Sequence, residues 1–252
     1  MGEAIISGLL RAERCSPGAI TVSDASPARL EHLRVKYGVN VTNDNLTVVA
    51  RAEVLVLAVK PQVMPDVLRE IGHSIHEDVV AISIAAGVRI ATLMQFVKAR
   101  LVRAMPNVCA TVGEGITALV PTPRVEKDDR AMVEELFGSV GGVLWVEETK
   151  MDAVTAISGS GPAYLFLVME ALMQAGVEHG LTQEQARTLV YQTVKGAAAL
   201  AMEGEHPAVL RERVTSPGGT TAAALHELEA HGVRAAFLAA VSAAVKRSKE
   251  LG

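Results

Sequence analysis

Short aliphatic runs alternating with amphipathic stretches constrain this chain more than any other feature. EVLVLAV at residues 53–59 is apolar on both faces, the pattern of a strand covered on both sides, as in a parallel sheet. AITVS (19–23), DVVAISIAAG (78–87), LVRAM (101–105), GITALV (115–120) and GVLWV (142–146) repeat the theme. Between them, residues 27–37 with Pro27 in the first turn, 61–71, about 89–97 and 126–138 read as helices. This alternation predicts an α/β fold with a parallel sheet and right-handed crossovers. After Val146 the strand signals stop. Helices are expected at about 149–157, 161–179, 182–203, 206–214, 218–230 and 233–250, so the expected domains are 1–146 and 147–252. Alanine follows the same division, with 17 in residues 1–150 and 21 in residues 151–252, as suits closely packed helices.

The segment GPAYLFLVMEALMQAGVEHG is apolar nearly all round. A helix without a polar face must be buried on every side, and a domain of about 100 residues has little interior for it. A subunit interface, hence a homo-oligomer, is the expectation. The net charge of −4 leaves no basic excess to neutralise phosphates, and aromatics make up only 3% of the chain; no nucleic-acid partner is expected. The longest uncharged run, 153–169, contains Ser-Gly-Ser-Gly-Pro, which is expected to break it short of spanning length, so no membrane segment is read. Cys15 and Cys109 form no CxxC, and MGEAIISGLLRAER has no basic leader, pointing to the cytoplasm. His73 and His76 lack a third ligand, so no metal is expected. No GxSxG or HExxH occurs, and the chemistry is expected to come from a bound cofactor.

Five motifs sit where ligands bind. VKP (59–61), AAG (85–87) and MPN (105–107) each follow an expected strand, and ligands of doubly wound sheets lie at the carboxyl ends of strands. Each by itself is equally readable as an ordinary turn. VTSPGGTTAAAL (214–225) is more specific: Pro217, Gly218 and Gly219 force a turn, and Thr220 and Thr221 open a helix. Hydroxyls, free backbone N–H groups and the helix dipole make an anion site suited to a substrate carboxylate. A well-capped helix would explain one hydroxyl, not the whole set. SGSGPAY (158–164) is a Gly-rich turn without a following Lys, so it is not a phosphate loop.

Taken together, AVKPQ (58–62), AAGV (85–88), MPN (105–107), DAVTAISGSGPAY (152–164) and VTSPGGTTAAALHELE (214–229) resemble pyrroline-5-carboxylate reductases. The likeness runs from residue 2 to the end. It implies a Rossmann-like N-terminal domain and an all-helical C-terminal dimerisation domain, and a homodimer that in some members builds a larger ring. The implied reaction is hydride transfer from NADPH or NADH to the C=N carbon of 1-pyrroline-5-carboxylate, giving L-proline. Ser216, Gly218, Gly219, Thr220 and Thr221 match the loop holding the substrate, with Thr221 as the catalytic group at the ring nitrogen. Gly2, Ser23, Asn45, Ala58, Val59, Lys60, Pro61, Ala86 and Asn107 match positions lining the dinucleotide cleft.

Two departures from the family pattern stand out. The family opens with a strand and a glycine-rich turn of the form GxGNMG, whereas this sequence begins at Met1-Gly2 and contains no GxGxxG; the first strand is expected to be missing. This motivates an alternative reading as a non-catalytic metabolite-binding or helical assembly module. Asp24 lies in VSDASP, where an acid accepts from a ribose hydroxyl or repels a 2′-phosphate, while Ser23 and Ser26 keep both dinucleotides open. A hydroxyacid dehydrogenase is disfavoured by the SPGGTT loop, because those enzymes usually place a Lys on the corresponding helical domain.

Overall fold

The computed structural model describes residues 1–251 and contains two compact units, 1–160 with 244–251 and 161–243. In the first unit the chain runs α1 (Gly2–Arg11), β1 (Thr21–Ser23), α2 (Pro27–Tyr37), β2 (Asn40–Thr42), α3 (Asn45–Val49), β3 (Val54–Leu57), α4 (Met64–Ile71), β4 (Val80–Ser83), α5 (Ile90–Met94), β5 (Arg100–Pro106), β6 (Gly115–Pro121), α6 (Lys127–Gly138), β7 (Gly141–Trp145) and α7 (Met151–Val154). β1 and β2 pair in parallel as a small sheet, and β3-β4-β5-β6-β7 form a second. The expected single doubly wound sheet is thus present in two pieces, bridged by α1. Ile5 packs with Val54 and Val56 of β3, while Ile6 packs with Leu33, Val22 and Val41 over the small sheet.

The larger sheet has helices on both faces, and the strand period of two assigns them. Leu55, Leu57, Ala81 and Leu101 face Val49, Met64, Leu68 and Leu93 from α3, α4 and α5. Their alternates Val80, Ile82, Val102 and Ala104 face Ala4 and Ile5 of α1 and Val133 and Phe137 of α6. One strand departs from expectation: β6 runs antiparallel to β5, with Val102 opposite Pro121 and Pro106 opposite Thr117. The eight residues between them hold only a 3₁₀ turn, Val108–Val112. That is too short for the crossover a parallel pair requires.

The units do not divide at residue 147. Met151 of α7 is buried with Ala118 and Val120 of β6, with Val154 packed on the same cluster, so the first helical turns after β7 belong to the sheet unit. The last turns of the final helix join them, where the Ser248 hydroxyl donates to Asp152 Oδ1 at 2.6 Å. Nor does the Gly-rich stretch break the helix. Residues 155–159 make a π-helical turn, and the run Glu148–Glu178 is continuous. By length and composition it could cross a membrane, and only 11% of its most apolar window is buried.

The second unit holds α8 (Gly161–Glu178), α9 (Gln183–Met202), α10 (Pro207–Arg213), α11 (Thr220–Ala230) and most of α12 (Val233–Leu251). The α9 start is a capping box, with Thr182 Oγ1 accepting from Gln185 N–H and Gln185 Oε1 from Thr182 N–H. Gly176 lets α8 approach α9, since a Cβ there would lie 3.2 Å from Ala186 Cβ. None of the α8 side chains is buried, although Leu165, Phe166, Leu167 and Leu172 are all apolar.

Candidate active site

The expected cofactor residues gather along the carboxyl ends of the parallel strands in the first unit. Ser23 ends β1, Asn45 follows β2 as the first residue of α3, Ala58–Pro61 follow β3, Ala86 follows β4 and Asn107 follows β5. Two contacts join neighbours directly. A Cβ built on Gly2 would lie 3.3 Å from Ala58 Cβ, so the start of α1 rests against the turn after β3. The Ser23 hydroxyl donates to Asn45 Oδ1 at 2.6 Å, and Asn45 Nδ2 donates to Glu70 Oε2 at 2.9 Å. Glu70 was not singled out from the sequence; it lies on α4, and only the fold brings it to Asn45.

Local chemistry positions these groups. Asp44 caps α3, accepting from Leu46 N–H at 3.0 Å, which sets Asn45 at the helix start. Ser26 caps α2, and Asp24 Oδ1 accepts the Ser26 N–H at 2.8 Å. α1 begins at Met1 with no side-chain cap, so its first-turn N–H groups remain available to an anion. Ala58, Lys60 and Ala86 are exposed. Asn107 is buried, and its Oδ1 accepts from Ile116 N–H at 3.3 Å; this bond ties the end of β5 to the start of β6.

One hollow on the first unit lies elsewhere. It spans about 600 Å³ and is lined by Ile90, Met94, Val120, Trp145 and Glu147 among others. Because β6 reverses direction, the carboxyl ends of β6 and β7 lie at the opposite edge from those of β3–β5. None of the expected site residues lines it. Among the described residues no three His, Cys, Asp or Glu side chains assemble as a metal site.

The expected substrate loop belongs to the second unit. Gly218 adopts φ +66°, a left-handed conformation open to glycine at little cost. Gly219 is the N-cap of α11 with no side-chain cap bond, and its N–H donates to Ser216 O at 3.0 Å. An added Cβ on Gly219 would fall 2.3 Å from Ser216 Oγ, so the Ser216 hydroxyl sits directly over a bare backbone. Ser216 and Thr220 are exposed and Thr221 is half-buried. The loop therefore presents hydroxyls and uncapped first-turn N–H groups in one short stretch, a geometry suited to a carboxylate.

Comparison with known proteins covers both units. A family model for pyrroline-5-carboxylate reductase dimerisation matches residues 148–251, and one described as NADP oxidoreductase, coenzyme F420-dependent, matches residues 1–87. The chain is 43% identical to a pyrroline-5-carboxylate reductase of Methanosarcina acetivorans, spanning 100% of this chain and 94% of that protein. Among solved structures, a pyrroline-5-carboxylate reductase from Coxiella burnetii matches with TM-score 0.94 and 41% identity, covering 100% of this chain and 94% of that one. The Plasmodium falciparum enzyme, solved with NADP bound, matches with TM-score 0.90 and 32% identity over the same shares. Sheet unit and helical unit are thus matched together, in one chain and in one order, and the protein belongs to the pyrroline-5-carboxylate reductase family.

Proposed function

We propose that this chain reduces 1-pyrroline-5-carboxylate to L-proline with NADPH or NADH. The observation that carries this reading is the extent of the likeness: relatives named for this activity align over the whole chain, dinucleotide half and substrate loop included. That extent disfavours a non-catalytic binding module.

The residues present fit the dinucleotide. The bare Gly2 backbone against Ala58 leaves room that a side chain would fill, and the uncapped start of α1 offers N–H donors to a pyrophosphate. Ser23 and Asn45 would hold its ribose side, Ala58–Pro61 and Ala86 its flank, and Asn107 the end nearest the reacting ring. NAD(P)H, when bound, supplies the hydride. In the second unit, Ser216, Gly218, Gly219 and Thr220 grip the substrate carboxylate at the start of α11, while the Thr221 hydroxyl hydrogen-bonds the ring nitrogen and holds the C=N plane in register. A protonated imine is already an electrophile, so the site contributes orientation more than a strong base.

By function we assign residues 1–146 to dinucleotide binding and 147–252 to substrate binding and dimerisation, a division along the sequence that the dimerisation match over 148–251 supports and that differs from the compact units. The protein is a homo-oligomer with a small-molecule substrate; a homodimer built on α8, assembled into a larger ring, is the finer form proposed. A cytoplasmic location agrees with the free thiols of Cys15 and Cys109. The test is oxidation of NADH or NADPH that depends on added 1-pyrroline-5-carboxylate, with proline as the product. Folded protein that binds dinucleotide yet turns over no pyrroline-5-carboxylate overturns the reading.

A further inference from the structure

We infer that Asp24 makes this enzyme select NADH over NADPH, an inference that rests on the reductase reading above. Asp24 directly follows β1, 22 residues after Gly2. In doubly wound folds an acid about 20 residues beyond the glycine turn reaches the adenosine ribose hydroxyls, and a nearby Arg is what accommodates a 2′-phosphate. The Asp24 carboxylate is anchored by the Ser26 N–H at 2.8 Å through Oδ1, and its Oδ2 carries no hydrogen bond among the described residues. It is half-exposed, and ready to accept from a hydroxyl.

Among the described residues, the polar groups around Asp24 and the cations of α2 are already engaged with other partners. The Ser23 hydroxyl gives its hydrogen to Asn45, which leaves it able to accept from a ribose hydroxyl but not to donate to a phosphate, and the hydrogen-bond chain continues to another carboxylate, Glu70. Ser26 Oγ accepts the Arg29 N–H. The basic side chains of α2 are turned onto partners elsewhere: Arg29, His32 and Lys36 all reach Glu3, at 2.6, 3.2 and 3.0 Å, and Arg34 pairs with Glu31 at 2.7 Å. A 2′-phosphate at the end of β1 would meet the Asp24 charge with its counter-cations already engaged, whereas a free 2′-hydroxyl would donate a charge-assisted hydrogen bond to it.

Binding of NADH and NADPH to the full chain, measured by calorimetry without substrate, separates this inference from the reductase reading. NADH should bind at least about tenfold tighter, the scale of one charge-assisted hydrogen bond set against one like-charge repulsion. Asp24→Asn keeps an oxygen for the Ser26 N–H and should bring the two affinities within about threefold of each other. NADPH binding as tightly as NADH, or a ratio that Asp24→Asn leaves unmoved, overturns the inference. Absence of binding by both dinucleotides overturns the reductase reading and this inference with it.

Discussion

At the scale of single residues, the substrate loop separates fold from function. Gly219 has φ −80°, open to any residue, so its need for glycine is not conformational. The need lies in the 2.3 Å between a built Cβ and Ser216 Oγ. Because a hydroxyl on a rotatable side chain can swing away, Gly219→Ala should leave the melting temperature nearly unmoved. It should lower kcat/KM by about 10- to 100-fold, since a misplaced contact of this size costs that much orientation. Thr221→Ala should also lower kcat/KM by about 10- to 100-fold while leaving the dinucleotide Kd unaltered, as expected for one lost polar contact to the reacting atoms. A parallel loss of dinucleotide affinity would show that the loop does not serve the substrate. The motif itself was legible in the sequence, because turn residues and hydroxyls at fixed offsets act locally. Glu70 was not, because its link to Asn45 crosses 25 positions.

At the scale of elements, α1 and α2 are joined through one carboxylate. Glu3, in the first turn of α1, accepts from Lys36 at 3.0 Å, His32 at 3.2 Å and the Tyr37 hydroxyl at 2.9 Å, and pairs with Arg29. Lys36 foremost holds the Glu3 carboxyl far below its ordinary value of 4.5; burial, next in size, pushes it up, and His32, Tyr37 and Arg29 pull it down further. Since the folded-state value is the lower one, this stabilisation is complete above the ordinary value and is lost as pH falls below it. Glu3→Gln should therefore cost about 1 kcal/mol at pH 7, a modest figure because its partners are half-exposed. The gap between the variant and the unaltered protein should narrow as denaturation curves are taken below pH 4; a gap independent of pH would rule the ion cluster out as its source. α1, β2 and α3 were not read from the sequence. β2 spans three residues and α3 five, too short to show a period. α1 buries Ala4, Ile5, Ile6 and Gly8, with Ile5 and Ile6 packed over different sheets.

At the scale of the whole molecule, the second unit lacks a core of its own in one chain. Phe166 and Leu165 are 53% exposed and Leu167 66%, on a helix with no buried residue. Leaving such a surface in water is unfavourable, and the dimerisation match over 148–251 indicates what covers it. Phe166→Asp should weaken self-association by about 2 kcal/mol or more, the usual scale of a central aromatic anchor, and make the melting temperature strongly dependent on protein concentration. Sedimentation that leaves the variant as associated as the unaltered protein would place the interface elsewhere.

The sequence by itself determined what depends on near neighbours: the strand–helix alternation, the change to helices after Val146, the bounds of α2, α6, α8 and α9, and the PGGTT turn. It also marked α8 as a helix that needs a partner. Only the tertiary structure decided the antiparallel return of β6, the division of the sheet into two pieces, and the reassignment of α7 and the last turns of α12 to the sheet unit. Periodicity reports which face of an element is apolar. Which distant surface covers that face is settled by packing among residues far apart in the chain, as Ser248 is from Asp152, and no local pattern records it.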